Sequence, residues 1–109
     1  MINNATTEPV LLNDHQVVDF IIDGYVIIQT DLSEEFNRSI FDRLESLPDN
    51  PGDEILEAVP ALRDVYDHPK VSGALASILG PDYHMYRHRH CHRNMPGTPS
   101  QMWHLDGGA

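Results

Sequence analysis

The sequence predicts an α+β fold in which helices and one early strand precede a mainly β segment of a larger α+β or jelly-roll protein. Apolar residues recur at helical spacing through much of residues 1–82. In residues 83–92 the histidines instead lie at even positions, which share one face in a strand. Because two short strands cannot form a stable sheet alone, we expect residues 1–109 to be the truncated N-terminal portion of a single domain.

A helix and a strand are predicted first along the chain. Asn13 and Gln16 form a capping-box pattern at the start of a helix over residues 14–23, which Gly24 ends. Residues 25–29 are mostly aromatic or β-branched, and they predict a buried strand.

Three more helices are predicted in the middle of the chain. Ser33 caps a helix that ends at Pro48. A shorter helix covers residues 61–66. The last covers residues 69–79, with proline in its first turn and glycine just after its end. Residues 55–59 fit one short turn.

The C-terminal stretch is predicted to be extended, and it holds most of the chemically active side chains. It contains five of the seven histidines, three arginines, the only cysteine and the only tryptophan. A turn is predicted at residues 96–99, and a last strand begins near Gln101. In a strand over residues 83–92, one face would carry His84, Tyr86, His88, His90 and His92.

Composition and charge limit the classes of protein that this chain can belong to. With 40% hydrophobic and 22% charged residues it is typical of globular proteins, and no apolar run is long enough to span a membrane. Residues 1–82 carry a net charge of −12 and residues 83–109 a net charge of +2. The acidic excess argues against nucleic acid as a partner, whereas the basic stretch could favour a small anion. A single cysteine, Cys91, fits a cytoplasmic protein.

The tetrapeptide Trp103-His104-Leu105-Asp106 is a candidate metal site. Residues two apart in a strand point to the same face, with Cα atoms roughly 6.6 Å apart. His104 and Asp106 can therefore supply an imidazole and a carboxylate to one ion. These are two of the three ligands in the 2-His-1-carboxylate site that holds non-heme Fe(II).

A second group of histidines leaves alternatives open. His88, His90 and His92 share one face of the predicted strand and could bind Zn²⁺ themselves. They could equally be polar residues that line a barrel interior or a substrate channel. Cys91 lies on the opposite face, so we do not expect it to be a ligand.

Several stretches together resemble the start of phytanoyl-CoA dioxygenase-like proteins. The first is a helix with leucine and glutamine four apart that leads through a phenylalanine-x-x-aspartate-glycine-tyrosine pattern into the first strand. The others are a glycine-proline turn, the first core strands and the tryptophan-histidine-x-aspartate motif. In this sequence the matching stretches are residues 12–17, 20–28, 79–83, 88–97 and 101–106.

The resemblance implies an Fe(II)- and 2-oxoglutarate-dependent dioxygenase on a double-stranded β-helix, with His104 and Asp106 as metal ligands. The family's distal histidine and oxoglutarate-binding arginine come much later in the chain, and this sequence contains no counterpart of either. Family members often have lysine where Met95 stands here. The remaining candidates for binding the co-substrate are His90, His92 and Asn94.

The expected function is therefore that of a fragment of a dioxygenase. Such an enzyme hydroxylates a small organic substrate, consumes O₂ and 2-oxoglutarate, and releases succinate and CO₂. The chain alone, with two ligands, is expected to be inactive. The alternative is a non-catalytic truncated product or a small histidine-rich metal-binding module.

Overall fold

In the computed structural model, which describes residues 8–105, every regular element is helical. The helices follow one another without an intervening sheet. They are α1 (Asp14–Asp23), α2 (Glu34–Ser46), a short 3-10 helix (Gly52–Glu54), α3 (Ile55–Ala58), α4 (Leu62–Tyr66) and α5 (Pro69–Leu79). None of these helices is long and apolar enough to cross a membrane.

The predicted α+β fold with the first strands of a jelly roll is wrong for the described residues. Neither residues 25–29 nor residues 83–92 form a strand, and no sheet is present between residues 8 and 105. A β-branched or alternating sequence favours an extended backbone, but a strand also needs a neighbour that pairs with its N–H and C=O groups. Among residues 8–105, no other strand lies beside either stretch.

The predicted helix boundaries are largely confirmed because they depend on local contacts. At the start of α1, the Asn13 side chain accepts the Gln16 N–H at 2.8 Å, and the Gln16 side chain accepts the Asn13 N–H at 3.0 Å. Gly24 ends the helix with a left-handed φ of 82°, a conformation that glycine adopts without steric cost. Ser33 caps α2 by accepting the N–H of Phe36 at 3.0 Å.

The core between these helices is small. Among the described residues, the buried hydrophobic side chains are Ile40, Leu56, Val59 and Ala74, from α2, α3, the residue after α3, and α5. The predicted buried strand is largely on the surface, since Tyr25 is 62% exposed and Ile27 is 73% exposed. Little of the helical surface is therefore covered, and the few buried side chains belong to α2, α5 and the region of α3.

The segment before α1 crosses α5 at close range. The Val10 N–H donates to the Pro69 carbonyl at 2.9 Å, and the Leu12 N–H donates to the Ser77 hydroxyl at 3.0 Å. Between these two contacts lies Gly73, which is buried. A Cβ atom at Gly73 would overlap the backbone of Val10. The absence of a side chain at residue 73 therefore allows the two backbones to touch.

A histidine–aspartate pair joins the linker before α2 to the start of α5. His68 precedes α5, and its Nδ1 accepts the Lys70 N–H at 3.1 Å. In the neutral ring the proton then lies on Nε2, which donates to Asp31 Oδ1 at 2.5 Å. The hydrogen bond from His68 holds the pKa of Asp31 below its usual range, with a smaller contribution from a backbone hydrogen bond. The sequence alone did not suggest this pair.

Gly73→Ala is expected to destabilise the protein by about 1–3 kcal/mol, because the added methyl group must displace the Val10 backbone. Helix propensity acts in the opposite direction and favours alanine by about 1 kcal/mol. Urea unfolding followed by circular dichroism measures the difference. Lys70→Ala, on the exposed side of the same helix, is the control. A Gly73→Ala protein that is more stable than the wild type would contradict the close crossing.

Acid is expected to remove the stabilisation that Asp31 provides. Because the folded-state pKa of Asp31 lies below the value of 3.8 for an unperturbed aspartate, its ionised form favours the folded state above that pH. The contribution is lost as pH falls through the lowered pKa. The difference in urea midpoint between wild type and Asp31→Asn should therefore shrink from pH 6 towards pH 2, at roughly the pH where the carboxylate protonates.

A matched measurement on Asp82→Asn provides the control, since Asp82 is an exposed acid in the turn after α5. A gap between wild type and Asp31→Asn that stays constant over the whole pH range would refute the role given to the Asp31–His68 pair.

Candidate functional site

Residues 87–93, called the basic segment below, are held by side chains of the loop that follows α2. The Asn50 amide donates to the Cys91 carbonyl at 2.7 Å, and its oxygen accepts the Cys91 N–H at 3.3 Å. Two residues earlier, the Arg89 N–H donates to Asp53 Oδ1 at 3.1 Å. In an extended chain the backbone groups of residues 89 and 91 point the same way. Side chains of the loop therefore supply hydrogen-bond partners to the backbone along one edge of the basic segment, as a neighbouring strand would.

Ion pairs add to this attachment. Arg87 contacts Glu54 at 2.5 Å, and Arg93 contacts Glu45 at 2.5 Å. The guanidinium of Arg89 also donates to the Asp53 carbonyl at 3.3 Å. Two of the three arginines of this stretch are thus paired with acids of the same chain. This pairing argues against the expectation that the stretch attracts a small anion.

The even-numbered histidines of the basic segment form a row. The ring centroids of His88 and His90 are 5.5 Å apart, and those of His90 and His92 are 4.3 Å apart. His88 also contacts Asp53 Oδ1 at 3.2 Å. Within residues 8–105, however, no group of three or more histidine, cysteine, aspartate or glutamate side chains is placed to hold one metal ion. The three-histidine zinc hypothesis is not supported by this arrangement.

Of the candidates for co-substrate binding, His90, His92 and Asn94 are all exposed. His92 and Asn94 border an open groove of about 410 Å³ between the end of α2 and residues 91–95. Phe41 and Leu44 form the apolar part of its wall. The groove therefore offers polar groups and an apolar surface, but no buried cationic group that would recognise a dicarboxylate.

His104, the candidate metal ligand, lies near the end of the described residues. Its Nδ1 lies 2.8 Å from the Met102 carbonyl oxygen. Since a carbonyl can only accept, this contact requires a proton on Nδ1, and the lone pair of the neutral ring then belongs to Nε2. Asp106, the predicted second ligand, lies outside the described residues. Trp103 is fully exposed, at 103% of its reference area, so it has no packing role in this structure.

Asp53, in the 3-10 helix after α2, accepts the Arg89 N–H and contacts His88. Its pKa is lowered first by the hydrogen bond from the Arg89 N–H, and further by the nearby His88 and Arg87. Partial desolvation opposes this effect. The loop residues that anchor the basic segment were not singled out from the sequence. The sequence feature that could have indicated this contact is the opposite charge of residues 45–57 and residues 87–93.

Comparison of the chain with protein-family models, with curated proteins and with solved structures finds no match.

We expect the Asp53 carboxyl to titrate below its usual pH, as followed by its carbon chemical shift in NMR. Replacing His88 with glutamine should raise the midpoint only in part, because the Arg89 N–H still donates to the carboxylate. Arg63→Gln is the matched control, since it removes a positive charge that lies elsewhere, beside Glu57. A midpoint at or above the ordinary value of 3.8 would contradict the described contacts.

Proposed function

We propose that His104 and Asp106 supply two ligands of an Fe(II) centre in a 2-oxoglutarate-dependent dioxygenase. A contact within this chain supports the proposal. The hydrogen bond from His104 Nδ1 to the Met102 carbonyl leaves Nε2 as the nitrogen with the lone pair. Metal-binding histidines very often donate their other ring N–H to a backbone carbonyl or a carboxylate in this way.

The donor types suit the metal. Neutral imidazole and carboxylate together are the ligands of the non-heme Fe(II) triad, which leaves other positions open. The contact between His104 Nδ1 and the Met102 carbonyl favours the tautomer that such a ligand needs, and the sequence provides a carboxylate two residues later. A third protein ligand is not identified between residues 8 and 105. The residues therefore fit part of such a site.

The role of the chain's own groups follows from this arrangement. The Met102 carbonyl orients the His104 ring, and the hydrogen bond increases the basicity of the coordinating nitrogen. When bound, the metal with O₂ and 2-oxoglutarate would supply hydroxylation of a C–H bond, with succinate and CO₂ as co-products. The substrate we propose is a small organic molecule.

The proposed setting is the cytoplasm, with no nucleic acid as partner. The single cysteine supports a reducing compartment, and the net charge of −10 opposes binding to phosphate backbones. The ion pairs of Arg87 with Glu54 and of Arg93 with Glu45 strengthen the second point, because they compensate two of the three arginines of this segment.

Mn²⁺ is a redox-stable probe for the proposed Fe(II) ligands. In NMR titrations of the 109-residue chain, Mn²⁺ should broaden the His104 ring signals first, with weak affinity because few protein ligands are present. His104→Ala should lower the Mn²⁺ affinity at least about tenfold. A loss of about that size is already the minimum expected when a residue that only hydrogen-bonds to a metal ligand is removed. The matched control is His84→Ala, which removes another exposed histidine of the C-terminal part.

Two outcomes would overturn the proposal. One is an equal loss of affinity in the His104→Ala and His84→Ala chains. The other is that Mn²⁺ broadens the ring signals of His90 and His92 first and that His90→Ala abolishes Mn²⁺ binding. This result would favour the alternative function, a histidine-rich metal-binding module. Because the chain has only part of the ligand set, we also expect no 2-oxoglutarate-dependent succinate formation by the 109-residue chain itself.

A further inference from the structure

The basic segment and the loop after α2 meet through charges on both sides. Arg93 pairs with Glu45 at the end of α2, and Arg87 pairs with Glu54. Between them, the Arg89 guanidinium donates to the backbone carbonyl of Asp53. The side chains in the two closest pairs remain about half exposed, between 48% and 67%. Exposed ion pairs are weak individually and are screened by salt. The contact is therefore strong enough to position the basic segment but sensitive to ionic strength.

The basic segment has little apolar attachment of its own. In residues 87–93 only Arg89 and Cys91 are half-buried, and the others are exposed. Its backbone contacts to the loop go to the side chains of Asn50 and Asp53, and these are not part of a cooperative sheet. Losing the charge pairs would leave only these few hydrogen bonds to hold the segment.

The surface beneath the basic segment is partly apolar, whereas the segment itself is polar. A groove of about 490 Å³ beside Cys91 and Arg93 is lined by Leu44, Leu47 and Pro48. Leu44, in α2, and Leu47, directly after it, form an apolar row with Ile40, and both are half-buried. Lifting the basic segment would uncover the end of this row, so opening and closing would change the apolar surface that the chain presents.

We propose that the basic segment is a strap that intramolecular ion pairs close over the end of α2, and that raised ionic strength opens it. This inference does not depend on the proposed metal site. It assigns the paired acids and arginines a conformational role, in which Arg93–Glu45 and Arg87–Glu54 hold the two ends of the strap. The Asn50 and Asp53 side chains hold its middle.

Amide hydrogen exchange of the 109-residue chain measures the closed state directly. The N–H groups of Arg89 and Cys91 are protected only while the strap is closed, because they donate to Asp53 and Asn50. Their protection should fall at least about threefold between about 0.02 M and about 1 M NaCl, where the Debye length falls to about 3 Å. The Gln16 N–H, which donates to an exposed but uncharged side-chain oxygen, is the internal reference.

Variants separate the charge pairs from a general effect of salt. Arg93→Gln should lower the protection of Arg89 and Cys91 at low salt and reduce its dependence on salt. Arg63→Gln, which breaks the separate Arg63–Glu57 pair, should not change it. The double exchange Glu45→Arg with Arg93→Glu should restore protection, because it re-forms the pair in reverse.

The proposal is overturned by protection at Arg89 and Cys91 that does not change with salt. It is also overturned if Arg93→Gln behaves like Arg63→Gln, or if the double exchange fails to restore protection while circular dichroism shows intact helices. A loss of protection that extends equally to Gln16 would mean that salt loosens the whole chain, and it would overturn the proposal as well.

Discussion

The hydrogen bonds between the Asn50 and Asp53 side chains and the backbone of residues 89 and 91 decide how the C-terminal part of this chain is placed. An extended backbone must find partners for its N–H and C=O groups, and in most proteins a neighbouring strand supplies them. Here an amide and a carboxylate from a loop do so. Because these partners are side chains, they fix two positions and do not propagate into a ladder. The basic segment is therefore held without becoming part of a sheet.

The same contact explains the chemistry of the site. It brings Arg87 and Arg93 to acids of the chain and His88 to Asp53, and it leaves His90 and His92 exposed. Arginines that make this stretch basic in the sequence therefore form ion pairs within the molecule. The pKa of Asp53 is lowered because the Arg89 N–H donates to its carboxylate, so the anchor itself is an ionised group over the physiological pH range.

The helical part is stabilised by a different kind of contact. Few side chains are fully buried, and several large apolar residues of α1 and the following linker lie on the surface, including Ile21 and Ile22 at 73% and 74% exposure. Because the core is so small, backbone contacts such as the crossing of Val10 over Gly73 contribute more to holding the helices in place. The Asp31–His68 pair, whose members are 37 residues apart in sequence, connects the linker before α2 to the start of α5.

The sequence by itself determined the helices, because their signals are local. The capping box at Asn13, the cap at Ser33, the glycine at residue 24 and the proline at residue 69 act within a few residues, and the predicted boundaries of α1 and α5 agree with the structure. It also identified His104 and Asp106 as candidate ligands. Only the tertiary structure decided that residues 25–29 and 83–92 do not pair as strands, and which acids the arginines meet. Strand pairing and ion pairing join residues far apart in the chain, such as Glu45 and Arg93, and no local pattern specifies those partners.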